Sequence, residues 1–217
     1  RSRTTRDAIT ATLDLSVAEA YAIQQRVTAA RLARGEHVVG WKLGYTSLAM
    51  REQMGVHEPN FGPLTDAMLL HSGDTVSPQL MQPRVEPEIG MRFARPLAGV
   101  VSTDDVLGAV DVCFACLEVV DSVYTGYRFR LEDNTADGSS AAYVVLGPEV
   151  GIAGCADLAV VLLHNGQPVG RGRGADAMGD PLVALAWLSD RLLERGQWLR
   201  AGDVVITGGL TRAVALE

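Results

Sequence analysis

Two stretches decide the fold: residues 85–93, which read VEPEIGMRF, and residues 112–120, which read VCFACLEVV. Both are short and contain the β-branched and aromatic residues that are enriched in strands. Further along the chain, Asn165-Gly166 follows the apolar run 158–163, and this dipeptide is preferred in type I′ turns between antiparallel strands. The centre of the chain is therefore predicted to form a largely antiparallel β body.

Helices are predicted on both sides of these strands. Ser16 begins a capping-box pattern, so residues 16–35 are predicted to be helical, and a second long helix is predicted to begin at Asp180. The sequence thus predicts an α+β protein, with a helical N-terminal part at 1–70 and a largely antiparallel β body at 71–217 that form one functional unit. The remaining predicted elements are strands at 38–43, 75–77, 142–146 and 203–207, a short helix at 47–54 and a loop at 57–66.

The composition narrows the classes of partner. Of 217 residues, 47% are hydrophobic and 21% are charged, a balance typical of a globular protein that buries a core. A net charge of −7 argues against a nucleic-acid or anionic-membrane surface, so a small-molecule partner is expected. Because no apolar run has the length of a membrane span and the first residues do not resemble a secretory signal, the cytoplasm is favoured. The 3 cysteines are irregularly spaced, so reduced, buried thiols are expected.

The segment Glu86-Pro87-Glu88 carries the clearest chemical pattern. Residues two apart on a strand point to the same face, and Pro87 between the two acids indicates an edge or irregular strand that opens onto a cavity. Glu118 interrupts an apolar strand, where a carboxylate is rarely buried unless it is paired or bound to a metal. Three such oxygen ligands suit Mg²⁺ or Mn²⁺. The alternatives are two solvent-facing acids on an edge strand and a salt-bridged, structural Glu118.

Lys42 lies between apolar residues in the stretch GWKLG at 40–44. Pointing inward, it would act as an acid or base or bind a carboxylate; pointing outward, it would be an ordinary surface lysine. Thr46 and Ser47 offer hydroxyl and N–H groups to an anion. The histidines lack metal-binding spacing, although His57 could contact a ligand. The GRGRG run at 170–174 is not interpreted as a phosphate loop, because it follows a hairpin strand and does not open a helix.

Five motifs together make the sequence resemble a known family, the hydratase/decarboxylase family of meta-cleavage pathways. They are WKLGYTS at 41–47, MGVHEPNFGPLTDAM at 54–68, PRVEPEIG at 83–90, LEVVDS at 117–122 and AGDVVITGG at 201–209. The family includes 2-hydroxypenta-2,4-dienoate hydratases and 4-oxalocrotonate decarboxylases, and it shares a β-roll body with the fumarylacetoacetate hydrolases. The resemblance implies this fold, a Mg²⁺ or Mn²⁺ ion held by Glu86, Glu88 and Glu118, a catalytic Lys42, a small 2-oxo acid substrate and a homo-oligomer.

Within the family, the resemblance favours the decarboxylases. The segments GVHEP at 55–59, EPE at 86–88 and RPLAG at 95–99 are similar to decarboxylase segments, and Asn60 stands where hydratases usually carry an acid. The expected reaction is the metal-dependent decarboxylation of an unsaturated 2-oxo diacid such as 4-oxalocrotonate (2-oxo-3-hexenedioate). The alternatives are a 2-hydroxypenta-2,4-dienoate hydratase and a catalytically weak binding partner in a hydratase–decarboxylase complex.

The resemblance also implies substrate contacts and shows departures from the family pattern. Gly138 and Ala141 replace an amide and a hydroxyl of a family motif, and Val123 replaces an arginine. These departures concern the substrate-binding surface and leave the three acids in place. The expected substrate contacts are Ser47, Asn60, Ser139, Ser140, Gly208 and Gly209.

Overall fold

The computed structural model describes residues 4–48, 51–52 and 55–216. The strands are β1 (Val38–Gly44), β2 (Asn60–Thr65), β3 (Leu69–His71), β4 (Arg84–Phe93), β5 (Val110–Val120), β6 (Ala141–Val150), β7 (Ala159–His164), β8 (Gln167–Arg173), β9 (Val204–Ile206) and β10 (Val214–Ala215). The helices are α1 (Val17–Leu32), α2 (Thr103–Ala109), α3 (Leu131–Ala136) and α4 (Pro181–Leu193). No helix in this described part of the chain has the length and apolarity needed to cross a bilayer.

One mixed sheet forms the body of the protein, in the order β2-β1-β9-β4-β5-β6-β3, with β10 also pairing with β4. The pairs β1–β9 and β3–β6 are parallel and the other pairs are antiparallel. Strands β7 and β8 form the predicted hairpin as a separate two-stranded sheet. The prediction of an α+β fold with a largely antiparallel body is confirmed. Since β1 and β2 join this sheet, it runs through both predicted parts, 1–70 and 71–217.

Local sequence signals account for the two long helices. The Ser16 side chain accepts a hydrogen bond from Glu19 N, and Ser16 N donates to the Glu19 carboxylate, which is the predicted capping box. Helix α4 begins after Asp180, whose carboxylate accepts from Leu182 N at 2.8 Å. Its buried leucines pack in the same core cluster as the aromatic and methionine side chains of β4. This core fixes α4 against the sheet.

The predicted loop at 57–66 is wrong from Asn60 onward, because these residues form β2. Pro63 lies in that strand opposite Trp41. Strand β2 is at the sheet edge with β1 as its neighbour, and an edge strand tolerates a residue that lacks a backbone N–H. Pairing with β1 is a long-range contact that the local loop signals do not report.

Two further predicted elements, at 75–77 and 47–54, differ from the structure or fall partly outside its described residues. Residues 75–77 are not a strand; the strand in this region is β3, whose leucines are partly buried whereas Thr75 is exposed. Packing beside β6 decides this difference, since strand preference depends on a surface to pack against. The helix predicted at 47–54 falls partly on residues 49–50 and 53–54, which lie outside the described residues. Within it, Arg51 N donates to Ser47 O at 3.1 Å, as in a helical turn.

Candidate active site

A gap in the sheet beside β4 forms the setting of the site. Strand β9 pairs with β4 at Gly90, Met91 and Arg92, and β10 pairs with it at Arg84 and Val85. Between these two pairings, the loop 207–213 covers the middle of β4. The sequence-based expectation of an edge strand is therefore wrong, because β4 has neighbours on both sides. The expectation of an irregular strand beside a cavity is correct.

Three acidic side chains meet on one face of β4 and β5. Glu86 and Glu88 are two residues apart on β4, and Glu86 is the cross-strand partner of Glu118 on β5. One carboxylate oxygen of each residue lies within 4.8 Å of the others. Ligand oxygens on opposite sides of Mg²⁺ are about 4.2 Å apart, twice the usual oxygen–metal distance, so little movement would let them share one ion.

Burial makes this cluster unfavourable without a cation. Glu88 and Glu118 are buried, and Glu88 Oε1 and Glu118 Oε1 have no hydrogen-bond partner among the residues that the structure describes. Burial raises the pKa of all three carboxyls, and the charge of Glu118 adds to the effect on the other two. The pKa of Glu86 is raised to about 7. Unpartnered oxygens in an all-carboxylate set fit a hard divalent cation.

We expect the stability of the metal-free protein to fall as the pH rises from about 4.5 to about 7. The folded-state pKa of Glu86 is about 7 against an ordinary value of 4.5, so the folded state binds more protons than the unfolded state in this window. This contribution is complete below the lower value and is lost as the pH passes the higher one. Thermal unfolding in a chelator buffer should show a falling Tm, and saturating Mg²⁺ should reduce the fall. Glu86→Gln should flatten the metal-free profile; an equally steep profile in that variant would contradict this account.

Lys42 on β1 reaches the same cluster. Its Nζ lies 2.9 Å from Glu118 Oε2, and it donates to Ser139 O at 2.9 Å and to Ser139 Oγ at 3.2 Å. Burial lowers the pKa of Lys42, but the charges of the three acids outweigh this effect and raise it overall, so the amine keeps its proton. Since Lys42 is 3% exposed, the alternative of a surface lysine is excluded.

A cavity of about 340 Å³ opens beside the acids. Glu88, Glu118 and Gly208 lie behind its wall, and Gly208 N donates to Glu88 Oε2 at 2.7 Å. Asn60 and His57 are not among the described residues that line the cavity. Asn60 is 1% exposed, and its side-chain amide is hydrogen-bonded to Asn134, Thr135 and Ser139, so it lies behind the wall of the cavity and not in it. The predicted site residues that do line the cavity are Lys42, Ser47, Glu86, Ser139, Ser140 and Gly209.

The two glycines at the end of β9 permit a close approach of the loop to the acids. Gly208 has a φ of +94°, and a Cβ there would lie 2.2 Å from Thr46 Oγ1. A Cβ at Gly209 would lie 2.9 Å from the carboxyl carbon of Glu86. Any larger residue would push the loop away from the carboxylates, so the glycines shape this side of the site.

Sequence reasoning missed several residues of the cavity wall. Arg84 precedes Glu86 by two residues on β4 and shares its face, so the same alternation that indicated the acids could have indicated this arginine. Its guanidinium lies 4.1 Å from the centre of the Tyr127 ring. Arg212 is in the loop before β10, and no local pattern marks it. Asn134 supplies an amide to the wall. Gly138 and Val123, two of the departures from the family pattern, are not among the described residues that line the cavity.

Comparison with known proteins identifies relatives over most of the chain. The fumarylacetoacetate (FAA) hydrolase C-terminal family matches residues 26–215. A 2-keto-4-pentenoate hydratase from Burkholderia vietnamiensis is 41% identical over 203 residues, which cover 91% of this chain and 78% of the relative. A 4-oxalocrotonate decarboxylase from Pseudomonas putida is 36% identical over 208 residues, which cover 94% of this chain and 79% of the relative.

Solved structures agree with this assignment. A 4-oxalocrotonate decarboxylase from Pseudomonas putida, complexed with magnesium and adipate, matches with a TM-score of 0.94 and 33% identity, over 99% of this chain and 84% of that one. A fumarylpyruvate hydrolase from Pseudomonas aeruginosa, in complex with Mn²⁺ and pyruvate, matches with a TM-score of 0.60 and 15% identity, over 82% and 79% of the two chains, and shows the shared fold. The resemblance inferred from the motifs is confirmed. The hydratase and the decarboxylase that are 41% and 36% identical to this chain are both lyases. The chain therefore belongs to the fumarylacetoacetate hydrolase C-terminal family and is an enzyme similar to its hydratases and decarboxylases.

Proposed function

We propose that this chain is a divalent-metal-dependent decarboxylase of an unsaturated 2-oxo diacid such as 2-oxo-3-hexenedioate. The observation that carries the proposal is the presence of Arg84 and Arg212 in the wall of a cavity whose base is acidic. A diacid brings a second carboxylate, which requires cationic or N–H donors when it is desolvated. The neutral vinyl end of a hydratase substrate requires none, so the arginines favour the diacid.

The spacing of Arg84 also suits a diacid. Arg84 and Glu86 are two residues apart on the same face of β4, which corresponds to about 7 Å along a strand. Five carbon–carbon bonds of about 1.5 Å in a zigzag chain separate the carboxyl carbons of a six-carbon diacid by roughly 6 Å. A substrate with its 2-oxo end at the acids would therefore bring its distal carboxylate to Arg84. The adipate in the related decarboxylase is a saturated diacid of this length.

In this proposal Glu86, Glu88 and Glu118 hold Mg²⁺ or Mn²⁺. A bound ion would supply Lewis acidity to the 2-oxo group of the substrate. When the bond to the distal carboxylate breaks, its electron pair moves through the alkene toward the 2-oxo oxygen, and Lys42 Nζ donates a proton to that oxygen. The product is then CO₂ and 2-hydroxypenta-2,4-dienoate.

The other predicted contacts have narrower roles in the proposed reaction. Ser47 and the backbone of Gly209 orient the 2-oxo acid end of the substrate. Ser139 and Ser140 line the same cavity, but their hydroxyl hydrogens are donated to Asn60 and Asp137, so they shape the wall around the substrate. Gly208 acts from behind the wall, by holding Glu88 through its N–H.

The direct test incubates the purified protein and Mg²⁺ with 2-oxo-3-hexenedioate while CO₂ is measured. We expect CO₂ release with the appearance of 2-hydroxypenta-2,4-dienoate, and loss of both when a chelator removes the metal. Consumption of 2-hydroxypenta-2,4-dienoate without any CO₂ from the diacid would overturn the decarboxylase proposal.

Hydration is the second candidate function. It is supported by relatives of 38 to 41% identity that are named 2-keto-4-pentenoate hydratases. Val120 and Phe129 in the cavity wall would suit a vinyl group.

The third candidate function is a catalytically weak binding partner of a hydratase or decarboxylase, and metal-loaded protein without either activity would favour it. From the same family resemblance we propose a homo-oligomer and a cytoplasmic location.

Arg84→Met should separate the two reactions. Loss of one charge-assisted hydrogen bond, about 1.5–3 kcal/mol, should raise KM for the diacid roughly 10-fold to 100-fold. Turnover of the dienoate, which lacks the distal carboxylate, should change little. Arg92→Met is the matched control, because Arg92 lies on the same strand but pairs with Asp111 at the surface. An unchanged KM for the diacid in Arg84→Met would remove this arginine from substrate binding.

A further inference from the structure

A chain of buried hydrogen bonds leads away from Lys42 behind the cavity wall. Lys42 Nζ donates to Ser139 Oγ at 3.2 Å, and Ser139 Oγ donates to Asn60 Oδ1 at 3.0 Å. Asn60 Nδ2 in turn donates to Asn134 Oδ1 at 3.0 Å and to Thr135 Oγ1 at 2.9 Å. Asn60 therefore donates both amide hydrogens to residues of α3, and its carbonyl oxygen accepts from Ser139.

The chain continues from α3 to an acidic end. Asn134 Nδ2 donates to Ser140 Oγ at 3.0 Å, and Ser140 Oγ lies 3.4 Å from Asp137 Oδ2. An ionised carboxylate can only accept, so Ser140 Oγ donates its one hydrogen to Asp137 and accepts from Asn134 Nδ2, which turns Asn134 Oδ1 toward Asn60 Nδ2. Asn60 consequently presents its carbonyl, and not its amino group, to Ser139.

The two serines of this hydrogen-bonded chain, Ser139 and Ser140, both have an unfavourable backbone conformation. Ser139 has a φ of +57° and Ser140 a φ of +58°, in the left-handed region that residues with a side chain adopt only when their surroundings hold them there. Both are buried, and Ser139 N donates to Asn134 O at 2.8 Å. The buried amides of Asn60 and Asn134 bind the two hydroxyls and so contribute to holding this turn against Lys42.

We propose that Asn60 is a positioning residue for the reaction. By accepting the hydrogen of Ser139 Oγ, it leaves that oxygen's lone pair for Lys42, whose ammonium is then directed at Glu118 Oε2, Ser139 O and Ser139 Oγ. Asn60 does not line the cavity, so its influence on the reaction passes through Ser139 to Lys42. The inference rests on the proposed role of Lys42 as the proton donor.

The test is a double-mutant cycle with Asn60→Ala and Ser139→Ala, measured at saturating Mg²⁺. Asn60→Ala should lower kcat roughly 10-fold and change KM less than about 3-fold, because a proton donor and not a substrate contact is displaced. In the Ser139→Ala background the same change should alter kcat less than about 2-fold, since the connecting hydroxyl is already gone. An equal effect in both backgrounds, or none in either, would overturn the proposal.

Gln24→Ala is the matched control for the loss of a buried amide. Gln24 is 5% exposed and donates to Phe61 O and Thr135 O, but it makes no bond to Ser139. Its truncation should lower Tm and leave kcat unchanged. If Asn60→Ala does not fold, Asn60→Leu, which is similar in size and cannot accept from Ser139 Oγ, enters the same cycle.

A second readout is independent of turnover. Lys42 is the single lysine of the sequence, so its side-chain ¹⁵N resonance needs no assignment among others. Asn60→Ala and Ser139→Ala should shift this resonance in the same direction, and Gln24→Ala should not. A shift without any lyase activity in the wild-type protein would reject the proposed function but retain the positioning role; an unshifted resonance would reject the positioning role alone.

Discussion

Glu88→Gln should lower metal-stimulated turnover by about 10³-fold and weaken Mg²⁺ binding in parallel. The amide keeps the shape of the side chain, and one oxygen can still accept from Gly208 N. The substitution removes a full negative charge from a site whose proposed ligands are all carboxylates. A neutral amide oxygen binds a divalent cation far less strongly than a carboxylate oxygen does. The loss should appear both in kcat at limiting metal and in the heat of Mg²⁺ binding measured by calorimetry.

The same substitution should stabilise the folded state of the metal-free protein. Burial and the charge of Glu118 raise the pKa of Glu88 well above its usual range, so removing that charge relieves a repulsion in the folded state. Metal-free Glu88→Gln should therefore have a higher Tm than the metal-free wild type at neutral pH. Glu149→Gln, which changes an exposed acid on β6, is the control and should affect neither property. Unchanged metal-stimulated turnover in Glu88→Gln would reject the proposed metal site.

Lys42→Met should lower kcat by about 10²-fold to 10⁴-fold, the range usual for loss of a general acid or base. Methionine fills a similar volume but can neither donate a proton nor form the ion pair with Glu118. Loss of this buried cation also leaves Glu118 without its ion-pair partner, so the metal-free variant should have a lower Tm. Kinetics at saturating Mg²⁺ and thermal unfolding with and without Mg²⁺ measure the two effects separately.

Lys42→Arg distinguishes charge from position. It retains a cation beside Glu118 and should recover much of the stability, but a guanidinium keeps its proton too firmly to act as a proton donor. We therefore expect stability to recover more than kcat. A variant with methionine at residue 42 that turns over at the wild-type rate would exclude Lys42 from the chemistry.

The sequence by itself determined the elements whose causes are local. The capping pattern at Ser16 and the Asn165-Gly166 turn act over a few residues, and both are present in the structure. Strand alternation placed Glu86 and Glu88 on one face without any knowledge of neighbouring strands. The apolar context of Glu118 indicated its burial, since an unpaired carboxylate is rarely found in such a strand.

Tertiary structure decided what depends on distant pairing. The register of β4 with β5 puts Glu118 opposite Glu86, and a shift by one residue would have turned it to the other face of the sheet. Pairing of residues 60–65 with β1 made a strand of a segment whose proline and glycine indicate a loop. Neither the buried position of Asn60 nor the place of Arg212 in the cavity wall follows from local sequence, because the first depends on contacts with α3 and the second on the cavity beside β4. Side chains that meet only after the sheet closes cannot be placed from patterns that extend over a few neighbouring residues.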